Sequence, residues 1–283
     1  MELITVAPGV IAFIRYDESA ANAGLIHTAG GAVVVDTTQS PPDMQALLDA
    51  AGIAASEVHL VINTHFHTDH VWGNQLFACP ILAHRLCREK MEANLAGEWS
   101  PQAIAAFIAE REKDDPVGAQ EAREKLGGLR VTLPSEVFDE RRDLEIGGVR
   151  IEVIQLGGHT PDSCVVWLPE SRVLFAGDLI FARRYPYPFD ADIPAWIAAL
   201  KRLPGFGARA IIPGHGLLCG EPEIAALRDY LEATWARSAE HIARGHTADE
   251  AAADPAYPRF ADETAGRYHE ANIRFVYEQL ASG

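Results

Sequence analysis

The run His65-Phe66-His67-Thr68-Asp69-His70 limits what this chain can fold into more than any other stretch. It places three imidazoles and a carboxylate within six residues, the donor set that borderline-soft divalent metals such as Zn²⁺ take. It follows Leu60-Val61-Ile62-Asn63, a short apolar run that reads as a buried strand. The cluster therefore stands where a strand ends and a loop begins, the place where α/β sheets gather their binding sites. On an extended backbone, residues two apart point to the same side, so His65 and His67 reach one metal together. Asp69 and His70 come after the chain turns and face a second position nearby. The plainer alternative is a polar loop that happens to be rich in histidine.

Three more segments have the same form, a ligand-type residue beside glycines after an apolar run. They are Gly157-Gly158-His159-Thr160-Pro161-Asp162-Ser163, Phe175-Ala176-Gly177-Asp178 and Pro213-Gly214-His215-Gly216. Each follows a candidate strand, at 151–156, 173–175 and 210–212. Glycine lets the backbone turn sharply and brings short side chains close to an ion.

In these four segments and their order the chain resembles the metallo-β-lactamase superfamily, whose pattern is His-x-His-x-Asp-His, then Gly-His, Gly-Asp and Gly-His. The resemblance runs from about Val10 to Gly216 and fills all seven ligand positions of the pattern. It implies an α+β fold, the four-layer αββα sandwich with the metals at one edge of two sheets. It also implies that His65, His67 and His159 hold one metal, that Asp69, His70 and His215 hold a second, and that Asp178 bridges them. Asp36 ends the apolar run Ala32-Val33-Val34-Val35 and matches a family Asp that supports the metal loop from behind, orienting ligands and tuning their basicity. Its alternative is an ordinary strand-end Asp.

A chain of 283 residues suggests one or two domains and is long enough to bury a sizeable core. We read residues 1–283 as one domain. Hydrophobic residues make up 48%, which excludes a disordered chain. The formal net charge of −16 argues against nucleic acid as a partner, because phosphate backbones need clustered Lys and Arg. It leaves room for a small anionic substrate, since two bound dications would dominate the local field. The first nine residues, Met1 to Gly9, have no basic start or long apolar core, and no apolar run approaches a membrane span. Cys79, Cys87, Cys164 and Cys219 show no CxxC spacing and read as reduced thiols. A cytoplasmic protein is expected.

Strands are expected at 10–16, 23–28, 32–37, 58–63, 80–83, 149–156, 164–168, 172–176 and 209–212. Pro41-Pro42 opens a helix that stops at Gly52. Further helices are expected at 72–77 and 193–203. Residues 85–129 form a helical insert, with helices at 85–95, 101–113 and 116–126. It is either a lid or wall of the pocket, or a helical layer or contact in a homodimer. Residues 221–283 read as two or three C-terminal helices. Within them Tyr230, Leu231, Thr234 and Trp235 form an apolar stripe of packing type, and Tyr268, Ile273, Phe275, Val276 and Tyr277 also read as packing residues. Phe66 and Trp72 read as wall or packing residues, and His84 as structural rather than part of the site. His27, His59, His241, His246 and His269 lack the glycine context of the ligand segments.

Two close dications keep a water-derived nucleophile available near neutral pH, which suits hydrolysis of a lactone, thioester, ester or amide. Asp69 would be both ligand and orienter of the attacking oxygen. There is no Gly-x-Ser-x-Gly run, so serine chemistry is not expected. The stretch from Gly158 to Glu170 looks like β-lactamases, but the β-lactamases most similar there carry Cys where this chain has Asp178, and a Lys soon after. Asp178 is shared with the glyoxalase II and lactonase branches. Glyoxalase II would want a basic C-terminal region, where this chain has Glu221, Glu223, Asp229, Glu232 and Glu240. In the segment from Arg183 to Pro188, Arg183 is expected to hold a substrate carboxylate through paired hydrogen bonds, and Tyr185 and Tyr187 to bond a carbonyl or leaving group. Its alternative is a proline-stiffened surface loop.

The leading reading is a hydrolase of a small molecule with two zinc ions. Two other readings stay open: a sulfur dioxygenase using one iron, and a metal-binding protein without catalysis.

Overall fold

Side-chain alternation along the strands builds the layers. In the computed structural model, which describes residues 2–16, 20–260 and 266–282, Val33 and Val35 point into one apolar cluster and Val34 between them into another. Ile62 and Val61 divide in the same way. Strands with both faces apolar must be covered on both sides, and this chain supplies a second sheet on one face and helices on the other.

The first sheet contains β1 (Glu2–Ala7), β2 (Val10–Ile14), β3 (Ala23–Thr28), β4 (Gly31–Val35), β5 (Val58–Ile62), β6 (Ile81–His84) and β7 (Glu136–Phe138), in that spatial order. It is antiparallel from β1 to β4 and parallel from β4 to β7. The second sheet contains β8 (Arg141–Ile146), β9 (Val149–Gln155), β10 (Cys164–Leu168), β11 (Val173–Phe181) and β12 (Ala210–His215). Only its β11–β12 pair is parallel.

Val35, Ile62 and Leu82 from the first sheet meet Val166, Phe175 and Ile212 from the second in one buried cluster. Helix α1 (Pro41–Ala51) covers the outer face of the first sheet through Met44, Leu47 and Leu48. Each such fully buried side chain stabilises the fold by about 1.5–3 kcal/mol. Ser40 caps the start of α1 by accepting the Asp43 N–H, and Gly52 ends it in the left-handed region. A short helix α2 (Thr68–Val71) follows β5. The insert folds as α3 (Arg85–Leu95), α4 (Pro101–Asp114) and α5 (Pro116–Leu126). The second sheet is covered by α6 (Ile193–Arg202) and by the C-terminal α7 (Glu221–Ala243) and α9 (His269–Ser282), with a short α8 (Ala248–Ala252) between the last two. The result is the expected αββα order.

Three strands were not expected from sequence. β1 is half exposed along its length, and β7 and β8 carry exposed charged residues. Each lies at a sheet edge, where charge guards against pairing with other chains and weakens the apolar alternation. The short helix expected after His70 is a 3-10 helix, Trp72–Leu76. The four cysteines are unpaired, as expected. No helix of the described residues is long and apolar enough to cross a membrane.

Candidate metal centre

The two sheets bring the four segments together. His65 and His67 follow β5, Asp69 and His70 lie in α2, His159 lies between β9 and β10, and Asp178 and His215 belong to β11 and β12. His65, His67, His159 and Asp178 form one group of donors, and Asp69, His70 and His215 another; within each, the donor atoms lie within 4.8 Å of one another. In the first group, His67 Nδ1 lies 3.2 Å from His65 Nε2 and 3.1 Å from His159 Nε2. In the second, His215 Nε2 lies 3.1 Å from Asp69 Oδ2.

Asp178 touches both groups. Its Oδ2 is 3.5 Å from His159 Nε2 and 3.4 Å from His215 Nε2, and its Oδ1 is 3.1 Å from His70 Nε2.

Partners behind the rings turn the right nitrogens inward. Asp36 Oδ2 lies 2.8 Å from His70 Nδ1. A carboxylate only accepts, so Nδ1–H donates to Asp36 and Nε2 is turned into the cluster. Asp36 also accepts from the backbone N–H and the hydroxyl of Thr64, both at 2.8 Å. The Thr64 oxygen in turn lies 3.1 Å from His65 Nδ1, leaving His65 Nε2 free. His67 is held from the solvent side, its Nε2 lying 3.0 Å from Asp190 Oδ2. His159 and His215 are oriented by ring packing instead. His159 meets Trp196 edge-on at 5.0 Å, and His215 stacks on Phe181 at 5.1 Å.

Two glycines make room. A Cβ on Gly214 would sit 1.8 Å from Asp178 Oδ1, so no other residue there leaves the carboxylate in place. Gly158 has φ +107° and packs against the Trp196 backbone, 2.6 Å from where a Cβ would lie.

Charge in the cluster is uneven. Burial pushes His159 down to about 3 and His65 well below its usual value, so both are neutral donors. Burial also opposes charge on His70 and His215, but nearby carboxylates outweigh it. Asp178, Asp36 and Asp69 raise His70 well above its usual value, and Asp178 and Asp69 raise His215 to about 9. Asp178 is held well below the carboxylate range, as His215 and His70 overcome its burial. His70 Nε2 and Asp178 Oδ1 are buried and meet at 3.1 Å. Imidazole nitrogens and carboxylate oxygens converging on shared space form a donor set that fits divalent metal. The residues present therefore fit the metals that the sequence resemblance implies.

A cavity of about 750 Å³ opens from His67, Asp69, Asp178 and His215. The insert supplies one wall through Trp99, Ile104, Phe107 and Leu126, which places it as a pocket wall. Phe66 and Trp72 line the cavity as well. The loop after β11 supplies the opposite wall, where one expectation needs correction. Arg183 is absent from the described lining; it is 68% exposed and pairs with Glu223 at 2.9 Å. With φ +58° at Arg183, the wall position falls to its neighbour Arg184, which is buried there. Tyr185 is on the wall, but it is a packing residue. It is buried against Tyr230 and Phe260, and its hydroxyl accepts the Phe260 N–H at 3.3 Å. Tyr187 faces the cavity, half exposed, with its ring 5.9 Å from that of His67. Tyr268, read as a packing residue, also lines the cavity. His84 caps α3 by accepting the Leu86 N–H. Asp190 and Thr64 were missed; neither stands beside a glycine in a ligand-like motif, and Asp190 is 123 positions from the ring it holds.

The family model of the metallo-beta-lactamase superfamily matches residues 16–215. Among curated relatives, the chain is 22% identical over 214 residues to a linear primary-alkylsulfatase of a Pseudomonas species, covering 68% of this chain and 40% of that protein. It is 27% identical over 194 residues to a hydroxyacylglutathione hydrolase of Mesorhizobium japonicum, covering 68% of this chain and 60% of that one. The chain thus spans 40% and 60% of the length of these two relatives. Among solved structures, a stereoselective inverting sec-alkylsulfatase from Pseudomonas sp. has a TM-score of 0.76 at 20% identity, covering 98% of this chain and 50% of that one. A metallo-beta-lactamase from Pontibacter korlensis has a TM-score of 0.62 at 22% identity, covering 82% of this chain and 98% of that one. By its donor clusters, its paired sheets and this match over most of its length, the chain belongs to the metallo-beta-lactamase superfamily.

Proposed function

We propose that this protein is a metal-dependent hydrolase that binds two divalent ions, zinc by the chemistry of its donors, and cleaves an acyl bond in a small molecule. The observation that carries the reading is the placement of Asp178 in contact with both donor groups. When bound, a pair of such ions supplies Lewis acidity and a nucleophilic water near neutral pH. His65, His67 and His159 would hold one ion, Asp69, His70 and His215 the other, with Asp178 between them. Asp69 has the cavity on one side and His215 on the other, so with the ions bound its carboxylate would orient the attacking water, accept its proton and pass it to the leaving group. Phe181 and Trp196 exclude solvent behind the imidazoles.

Metal content per chain, measured by elemental mass spectrometry on protein purified without added metal or chelator, tests it. Two zinc ions per chain, with turnover in a panel of lactones, thioesters, esters and β-lactams, is the expected result. One iron per chain with oxygen uptake on a persulfide would replace it with sulfur oxygenation. Two metals with no turnover of any panel member would leave a binding protein.

A further inference from the structure

We propose that the substrate of this site carries an extended apolar body, an alkyl chain or aryl group, lying along the helical insert while its reactive group faces the metal residues. The inference rests on the hydrolase reading above and names its substrate class. A cavity of about 750 Å³ is far larger than an acyl carbon and its neighbours require, and lies in the range that takes a ligand of drug size.

Beyond the metal-site residues at its bottom, the cavity has a largely apolar wall along the insert. Trp72 meets Trp99 edge-on at 5.9 Å, and Ile104 and Phe107 carry that wall along α4. Across the opening, Tyr187 packs against Phe189 at 4.7 Å and Tyr268 at 5.9 Å. This aromatic rim stays in water: Phe107 is 56%, Tyr187 40% and Phe189 36% exposed. Exposed aromatic surface gathered around one opening marks a binding groove rather than scattered surface residues.

Charge narrows the choice further. Apart from the metal-site residues, Arg184 is the one basic side chain among the described lining residues, while Glu98 and Asp190 are acidic. A thiol carrier bearing several carboxylates or phosphates would meet more like charge than opposite charge on this wall. An uncharged chain meets neither, and gains from every methylene it removes from water.

Calorimetric binding of straight-chain carboxylates of about four to about twelve carbons to the protein as purified with its metals tests the proposal. The dissociation constant should fall about threefold to fourfold for each added methylene, until the chain outgrows the cavity. Paired substitution of Ile104→Ser and Phe107→Ser, on the surface of α4, should flatten that slope over the longer members. A flat series in the unaltered protein, or tighter binding of a tripeptide thiol with two carboxylates than of the longest chain, overturns the proposal. Turnover is read separately on esters and thioesters of the same chains. A binding slope without turnover removes the hydrolase reading and keeps the apolar cavity, whereas turnover without a slope does the reverse.

Discussion

His67 is the most exposed imidazole of the cluster, with 13% of its side chain in contact with solvent. It therefore depends most on a partner to fix its tautomer, and that partner is Asp190. Outer carboxylates of this kind typically change metal affinity about tenfold to a hundredfold. Asp190→Ala should weaken metal binding in the first group by that factor, and Asp190→Asn, which keeps an accepting oxygen, by less. Chelator competition reads both, and equal affinity in all three proteins would exclude the role. Arg183 illustrates the opposite case. Neither Arg183 nor its partner Glu223 lines the cavity, and Arg183 itself is 68% exposed, so Arg183→Ala should change KM by no more than about twofold. A larger rise in KM with the right substrate would return Arg183 to the binding site.

The helices after β12 show how an element is held by charge. Asp254, which follows α8, accepts from Arg237 Nη2 at 2.6 Å and lies 2.9 Å from His241 Nε2, both on α7. The Ala256 N–H, then His241 and Arg237, hold its carboxyl well below the usual carboxylate range. Because the folded value lies below the unfolded one, the stabilisation is complete above about pH 4 and fades as pH falls toward the folded value. Asp254→Asn should therefore lower Tm by a few degrees at neutral pH, and its melting curve should converge with that of the unaltered protein in acid. A gap that persists in acid would mean the carboxylate acts through packing instead. At the same scale, Pro41, Pro42 and Gly52 made α1 legible in sequence, because the signals that start and stop a helix are local chemistry. The edge strand β7 was not legible, because its partner β6 lies far along the chain, and β8 was not, because its exposed charged residues break the apolar alternation although its partner β9 follows directly.

For the whole molecule, the metals and the fold are coupled. The donor groups join loops from both sheets, and the unfolded chain cannot hold them together. Ligands that bind only the folded state stabilise it by mass action, about 4 kcal/mol when free metal exceeds Kd a thousandfold. Chelation should therefore lower Tm by several degrees and stoichiometric zinc should restore it; an unchanged Tm would show that the clusters hold no metal in the purified protein. The sequence by itself determined the donor residues and the order of the layers, because ligand chemistry and strand alternation are written in short range. Tertiary structure alone decided that Asp190 rather than a motif residue holds His67, that Arg184 takes the wall position expected of Arg183, and that the insert lines the cavity. Each of these depends on side chains from distant segments meeting across the two sheets, and no local spacing encodes such a meeting.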